Sequence, residues 1–543
     1  MSLVILASVC LSVPLSVWAL LNVHARLSAD TTHVPLFSYL LLSALTILLA
    51  KLNLSLINTY LFSLRARKLG CSPPPAYPHK DPLLGLDAFT EALHALKSHT
   101  LLDLYLRRFQ QCGPTYYSLA LGTSTLMTQD VDNIKTILGP RMDDWPIDGP
   151  RLFAALPVLG PNSIFTSNGE TWRVARAMLR PSFSRGAGGD GADLACFRKH
   201  VDRLLTAIRA TDGAAFDIQA ALLDMTMDVS TDFLLGRSTD LQLTPSPEAR
   251  QFVADFEYAS RESAWMARLG PVLCNLPHPR LRRAVERVRG YIRRYVARAR
   301  EAAAQEGESK VGMMGGDAGK KENFLDELIR DEAPEDYVTD QVLSILLAGR
   351  DTTASAMSAV FYFLARAPEV VEKLRREVRE VQEDEASREQ LKQMKYLNNV
   401  IREALRLFSP VPTNSRTSKR ETVLPRGGGP DGRQPILVPK GTPVRWSTHA
   451  MHRDKAIYGP DADEFRPERW EGDLRAGWEY IPFSGGPRIC LGQQFALIQI
   501  AYTVFKFFRE FRDIEARDSG PLLVRTNLTA SFPNGCLVSV RHE

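Results

Sequence analysis

Paired cysteines are missing from this sequence. Seven cysteines stand among 543 residues, at 10, 71, 112, 196, 274, 490 and 536, and no two share CxxC spacing. An odd, scattered set excludes a disulfide framework and favours a reducing environment. An excess of one charge sign is missing too. Lysines and arginines number 67 against 62 aspartates and glutamates, a net charge of +5. No basic run reads as a nucleic-acid arm, so nucleic acid is not an expected partner. Low-complexity sequence is scarce: 45% hydrophobic and 24% charged residues describe a chain that buries a real core. No internal repeat is visible. One G-x-G-x-x-G match, at 186–191, follows RPSFSR rather than an apolar strand, so it reads as a flexible loop and not a dinucleotide cradle.

What the sequence does have begins with two apolar runs. Residues 1–23 carry no Asp, Glu, Lys or Arg, and a second run, 34–50, ends at Lys51. Each is near the roughly 20 residues that cross a bilayer core. The first has no basic leader, so it reads as a span rather than a cleaved signal peptide, although VHA at 23–25 would pass as a cleavage site. Arg65, Arg67 and Lys68 make the basic cluster expected on a cytoplasmic face. Pro73, Pro74, Pro75 and Pro78 then favour stiff, extended backbone, a hinge beneath a soluble body. The expected division is 1–65 as a membrane anchor of one or two helices, 66–80 as a basic and proline-rich hinge, and 81–543 as one body. Helical periodicity covers 251–269, 281–305 and 368–385, with a polar, Gly-rich loop at 306–323. Strand-like pieces are short and late, at 421–425, 435–439 and 443–450. The class is mainly α with small β-sheets.

Chemistry concentrates near the C-terminus. Cys490 stands between a Gly-rich bend (Gly485, Gly486, Pro487) and a helix expected from about Leu491. A thiolate there gains from the helix dipole and free backbone N–H groups, and the glycines let backbone approach a flat ligand. With no Cys or His partners nearby, zinc is excluded, whereas a single thiolate suits haem iron; a buried free cysteine is the other reading. Phe483, Gly486, Arg488, Cys490 and Gly492 fit F-x-x-G-x-R-x-C-x-G, and with them the sequence resembles the cytochrome P450 monooxygenases. The resemblance implies that family's fold, haem b as cofactor and Cys490 as axial ligand, with Phe483, Arg488 and Gly492 against the haem.

Three further motifs follow the family's order. A long helix over about 339–366 is apolar at both ends, yet its middle reads Ala348-Gly349-Arg350-Asp351-Thr352. Polar groups inside a buried helix need partners and mark a site. The resemblance implies that Asp351 and Thr352 manage proton delivery during oxygen activation, while Gly349 opens a gap. Glu403 and Arg406 form an E-x-x-R pair, and Arg469 lies in the segment FRPERW; the resemblance joins all three in a buried network behind the haem. Trp172 and Arg176, a W-x-x-x-R on a short helix, are implied on a haem propionate. Arg416 and Arg488 are candidates for the same duty, with a surface position the other reading for Arg416.

Several segments, among them LAGRDTTAS, DADEFRPERWE and PFSGGPRICLGQQFAL, look like the fungal n-alkane and fatty-acid omega-hydroxylase branch of that family. That resemblance implies a long aliphatic substrate hydroxylated at or near its terminal methyl, using O2 and electrons from NADPH through a separate flavoprotein reductase. It also implies an endoplasmic-reticulum membrane protein whose catalytic body faces the cytosol. The sequence departs from the branch in an insertion at 186–195 and also has a Gly-rich loop at 312–319, and both look peripheral. Leu347, Ala348, Val411, Thr413 and Leu528 are the family positions for a substrate channel, with core packing the alternative for each. Other readings are a monooxygenase of a terpenoid or polyketide-type metabolite, and a non-catalytic haem-binding protein.

Overall fold

The computed structural model describes residues 36–184, 192–269, 277–310, 324–330, 333–472 and 474–542. The first apolar run, the 186–191 glycines and Cys274 lie outside them. Helices dominate, and they organise around one, Glu335–Leu364. Its 30 residues extend about 45 Å at 1.5 Å per residue. Its second half, from Ala354 to Leu364, packs into a core built with the helices Lys395–Leu407 and Gln493–Glu510. Its first half, from Val338 to Leu346, packs into a separate core with Pro247–Leu269 and Pro279–Lys310. The polar middle falls at the seam between the two.

Small sheets frame this bundle. The largest has the order β1-β2-β7-β4, with β1 (Thr115–Ala120) and β2 (Thr123–Thr128) a hairpin, β7 (Pro443–Ser447) parallel to β2, and β4 (Thr413–Thr417) antiparallel to β7. A short β3 (Phe216–Asp217) joins β11 (Leu537–His542) and β8 (Phe511–Ala516) in a second sheet. Two more hairpins are β5 (Thr422–Gly428) with β6 (Gln434–Val438), and β9 (Arg525–Thr526) with β10 (Ala530–Ser531).

The structure bears out the mainly helical class and moves several boundaries. The second apolar run does not stop at Lys51. One helix, Leu36–Lys68, runs through it, and among the described residues the stretch long and apolar enough to cross a membrane is Ile47–Lys68, because residues 52–64 are themselves largely apolar. The 281–305 helix extends to Lys310 and absorbs the start of the expected loop. The helix expected over 368–385 ends at Glu380, and the one expected from Leu491 begins at Gln493. The last strand stops at Ser447, whose hydroxyl caps the short helix Thr448–Met451 by accepting from Ala450 N. The early β1–β2 hairpin was not legible. Its turn places Leu121 as well as Gly122 at positive φ, and leucine gives no turn signal.

The proline-rich segment is docked rather than free. Tyr117 N donates to Pro75 O (2.9 Å), Tyr77 N to Tyr117 O (2.8 Å) and Ser72 N to Pro435 O (2.9 Å). Before it, Arg65 pairs with Glu421 at 3.0 Å.

Candidate active site

The thiolate loop is shaped by glycine where nothing else fits. Gly486 has φ +67°, and a Cβ there would lie 2.0 Å from Leu138 O. A Gly486→Ala variant is therefore expected to lose more than about 2 kcal/mol, combining left-handed strain with a backbone clash, measurable as a urea midpoint shift. The bend lets Ile489 N donate to Gly486 O (3.0 Å) and Cys490 N to Phe483 O (3.0 Å), which brings the two ends of the motif together. Burial pushes the Cys490 thiol up, while the Gly492 N–H and the Arg176 guanidinium pull it down. By area, however, Cys490 is exposed. Both statements hold because protein atoms surround the sulfur closely while the residue keeps accessible surface. The apolar positions Ile489 (38% exposed) and Val411 (36%) also keep open surface.

Four arginines gather near this loop. Arg488 stacks over Trp172, its guanidinium carbon 4.3 Å from the ring centroid, and donates to Ser167 O (3.0 Å) and Asn168 Oδ1 (3.2 Å). Arg176, on the helix Gly169–Ser184, lies over the same ring at 5.8 Å. Arg416 is buried, donates to Ser415 O (2.8 Å) and sits 5.6 Å from the Trp446 ring, so the surface reading of Arg416 is excluded. Arg151 joins them through Asn414 Oδ1. Burial and mutual repulsion depress these cations. Arg151 and Arg488 are each pushed down to about 10, and Arg416 lies well below its usual value through burial, then Arg151 and Arg488.

Among the described residues no carboxylate pairs with any of the four. Buried cations that repel one another are costly without an anion between them. A flat ligand carrying two carboxylates, with a metal open to one thiolate, is what this donor set accommodates, and haem meets that description. Sequence reasoning named Trp172, Arg176, Arg416 and Arg488 but missed Arg151, which sits in no motif.

On the long helix, Thr352 Oγ1 donates to Ala348 O at 2.5 Å, so the hydroxyl is fixed by the turn below it. Asp351 accepts from Arg350 Nη1 at 3.0 Å, and Arg350, 3% exposed, reaches on to Glu257 of a neighbouring helix. Burial raises the Asp351 pKa, Arg350 opposes that, and Glu257 adds to it. Gly349 serves close helix packing: a Cβ there would lie 3.2 Å from Ser230 Oγ, so the space it frees adjoins Ser230. Leu347 packs partly against the second core, while Thr413 and Leu528 are partly open. Ala530 N donates to Pro410 O (2.8 Å), which holds the Leu528 hairpin beside Val411.

Behind the loop, Glu403 and Arg406 are fully buried. Glu403 accepts from Arg406 Nε (2.9 Å) and Nη2 (2.8 Å), Arg469 Nε (3.2 Å), Arg466 N (3.1 Å) and Trp470 Nε1 (3.0 Å). The three predicted residues thus meet, and Trp470 completes them. A separate cluster, Cys196, His200 and Asp232, has metal-ligand chemistry. Lys199 Nζ already lies 2.8 Å from the Asp232 oxygen that His200 Nε2 contacts at 2.9 Å, and His200 Nδ1 has no partner of the kind that orients a ligating imidazole. It is a charge cluster.

A helix-rich fold with a lone cysteine on a Gly-bent loop and an anion-hungry arginine cluster defines a haem-thiolate oxidoreductase. The cytochrome P450 family model matches residues 83–531. The chain is 39% identical over 489 residues to cytochrome P450 monooxygenase himC of Aspergillus japonicus, covering 89% of this chain and 86% of that one. It is 40% identical over 481 residues to cytochrome P450 monooxygenase fsdH of Fusarium heterosporum (87% and 83%), and 35% over 478 residues to cytochrome P450 52A12 of Debaryomyces hansenii (83% and 88%). The chain belongs to the cytochrome P450 family of monooxygenases, enzymes that bind haem through a cysteine thiolate.

Proposed function

We propose that this P450 hydroxylates long aliphatic chains, fatty acids or n-alkanes, at or near the terminal methyl: RH + O2 + 2e⁻ + 2H⁺ → ROH + H2O. The observation that carries the site assignment is the arginine cluster beside the Cys490 loop, with which no carboxylate among the described residues forms an ion pair. Cys490 would ligate the iron, with Arg151, Arg176, Arg416, Arg488 and Trp172 around the propionates. When bound, haem supplies the activation of O2 and the oxidant.

The chain's own residues do the rest. Burial raises the Asp351 pKa and so favours a proton on its carboxyl, and the fixed Thr352 hydroxyl beside it would set where that proton can be handed on. Ile489, Val411, Thr413 and Ala348 each keep open surface, and a channel bordered by Val411, Thr413 and Ala348 would suit a hydrocarbon. Attack on a methyl end, rather than weaker internal C–H bonds, requires that the chain end be positioned. Electrons would come from a separate NADPH-dependent flavoprotein reductase. The helix Ile47–Lys68 would hold the protein at the endoplasmic-reticulum membrane with its body in the cytosol. The aliphatic reading rests on the sequence resemblance to the omega-hydroxylase branch, and the relative named cytochrome P450 52A12 agrees with the family placement.

Reduced protein under carbon monoxide is expected to show the red-shifted Soret band of thiolate ligation. Cys490→Ala should abolish it and Cys112→Ser should keep it; a Soret band lacking that shift in the wild type overturns the assignment. Incubation with reductase and dodecanoate or hexadecane should yield terminal alcohol, and its absence with both counts against the substrate class.

A further inference from the structure

Two arginines outside the haem cluster have no carboxylate partner among the described residues. Arg445 lies on β7 opposite Ser415, so it shares the sheet face of Ser415 and Thr413 and not that of Arg416. Thr413 is one of the proposed channel positions, and two residues along a strand is about 7 Å. Arg445 therefore stands further along the same face, beside Met127 of β2. Its Nη1 donates to the Tyr105 hydroxyl at 3.0 Å, leaving that hydroxyl's own proton to be given to a ligand.

Arg268 approaches from the last turn of Pro247–Leu269. It donates to Ala264 O (2.8 Å), Thr526 O and Asn527 O (3.0 Å), next to Leu528, another channel position. The same hairpin is tied by Val524 N to His99 O (3.1 Å), just before the helix Leu101–Cys112 that carries Tyr105. These carbonyls take three of the five guanidinium N–H groups of Arg268 and leave its charge unneutralised. Burial pushes Arg268 down to about 10, with Tyr105 opposing and Arg445 adding to the shift, so the three groups feel one another.

We infer that Arg268, Arg445 and the Tyr105 hydroxyl form a receptor for the carboxylate of a long-chain acid, at the opposite end of the chain from the methyl that is oxidised. This rests on the aliphatic-substrate reading and deepens it, favouring fatty acids over alkanes. A carboxylate between two guanidiniums and a phenol receives charge-assisted hydrogen bonds in a site shielded from water. An alkane or ester leaves the cations unmatched.

The test is a binding titration followed by the Soret shift, which reads occupancy rather than turnover, with dodecanoate and methyl dodecanoate as paired probes. Wild type should prefer the acid. The acid-to-ester affinity ratio should fall at least tenfold in Arg445→Met and in Arg268→Met, and Arg445→Lys should recover part of it. The ester titration in each variant shows that the channel is intact. A wild type that binds both probes alike, or variants that leave the ratio unchanged, overturns the carboxylate receptor while the aliphatic reading stands. If neither probe shifts the wild-type band, the receptor and the aliphatic reading fall together.

Discussion

Glu403→Gln is expected to destabilise the protein by about 3–5 kcal/mol, a large share of the roughly 5–15 kcal/mol that holds a typical domain together. Its carboxylate takes five donors at full burial, three of them from Arg406 and Arg469. An amide offers one oxygen and turns an N–H₂ toward the other donors, leaving the buried Arg406 without a carboxylate and Arg469 with Asp461 alone. The damage should spread to the thiolate loop by a definite route. Arg406 O bonds His452 Nδ1 (3.2 Å), and Ile481 N donates to His452 Nε2 (3.1 Å), two residues before Phe483. Burial pushes His452 down to about 3, so it stays neutral and can donate through Nδ1 while accepting through Nε2. The expected readout is a lowered urea midpoint with reduced haem content. A midpoint within about 1 kcal/mol of wild type would show that the network does not support the loop.

Asp351→Asn should reduce product formation about 100-fold or more, the usual worth of a positioned proton donor, while the carbon-monoxide band and substrate binding persist. The sign of the pH effect follows from the raised pKa. In the proposed role the protonated acid is the donor, and burial extends that form to higher pH than an ordinary aspartate allows. Wild-type turnover should therefore fall as pH rises through that pKa, and the asparagine variant should lack this limb. An unchanged limb would assign it to another group. Glu257→Gln should alter the same limb, since it removes a negative charge that holds the Asp351 pKa up and meets Arg350 directly.

Much of this was legible in the sequence because its signals were local. The cysteine loop, the polar break in the long helix and FRPERW each carry their chemistry within about ten residues. What could not be read was assembled across the chain. Arg151 joins the arginine cluster only because the helix Pro150–Leu159 abuts β4 at Asn414. Trp470 was printed inside a named motif, yet nothing in the motif says that its indole reaches Glu403. Taken alone, an E-x-x-R pair is an i,i+3 ion pair worth tenths of a kcal/mol, and full burial turns it into a structural requirement. Gly349 shows the reverse case: a residue type that signals special backbone was found, but the neighbour that needs the space, Ser230, lies on a different helix.

The docked proline segment has a mechanical consequence. Leu69, Gly70 and Cys71 donate back to carbonyls of the helix Leu36–Lys68, and Ser72 is already bonded to Pro435 of the body. No residue is left over to act as a swivel. Torque on the helix passes directly into β1, so helix and body should tumble as one particle. In vesicles, the anisotropy decay of a fluorophore on the body would then follow rotation about the bilayer normal, without the fast wobble of a tethered domain.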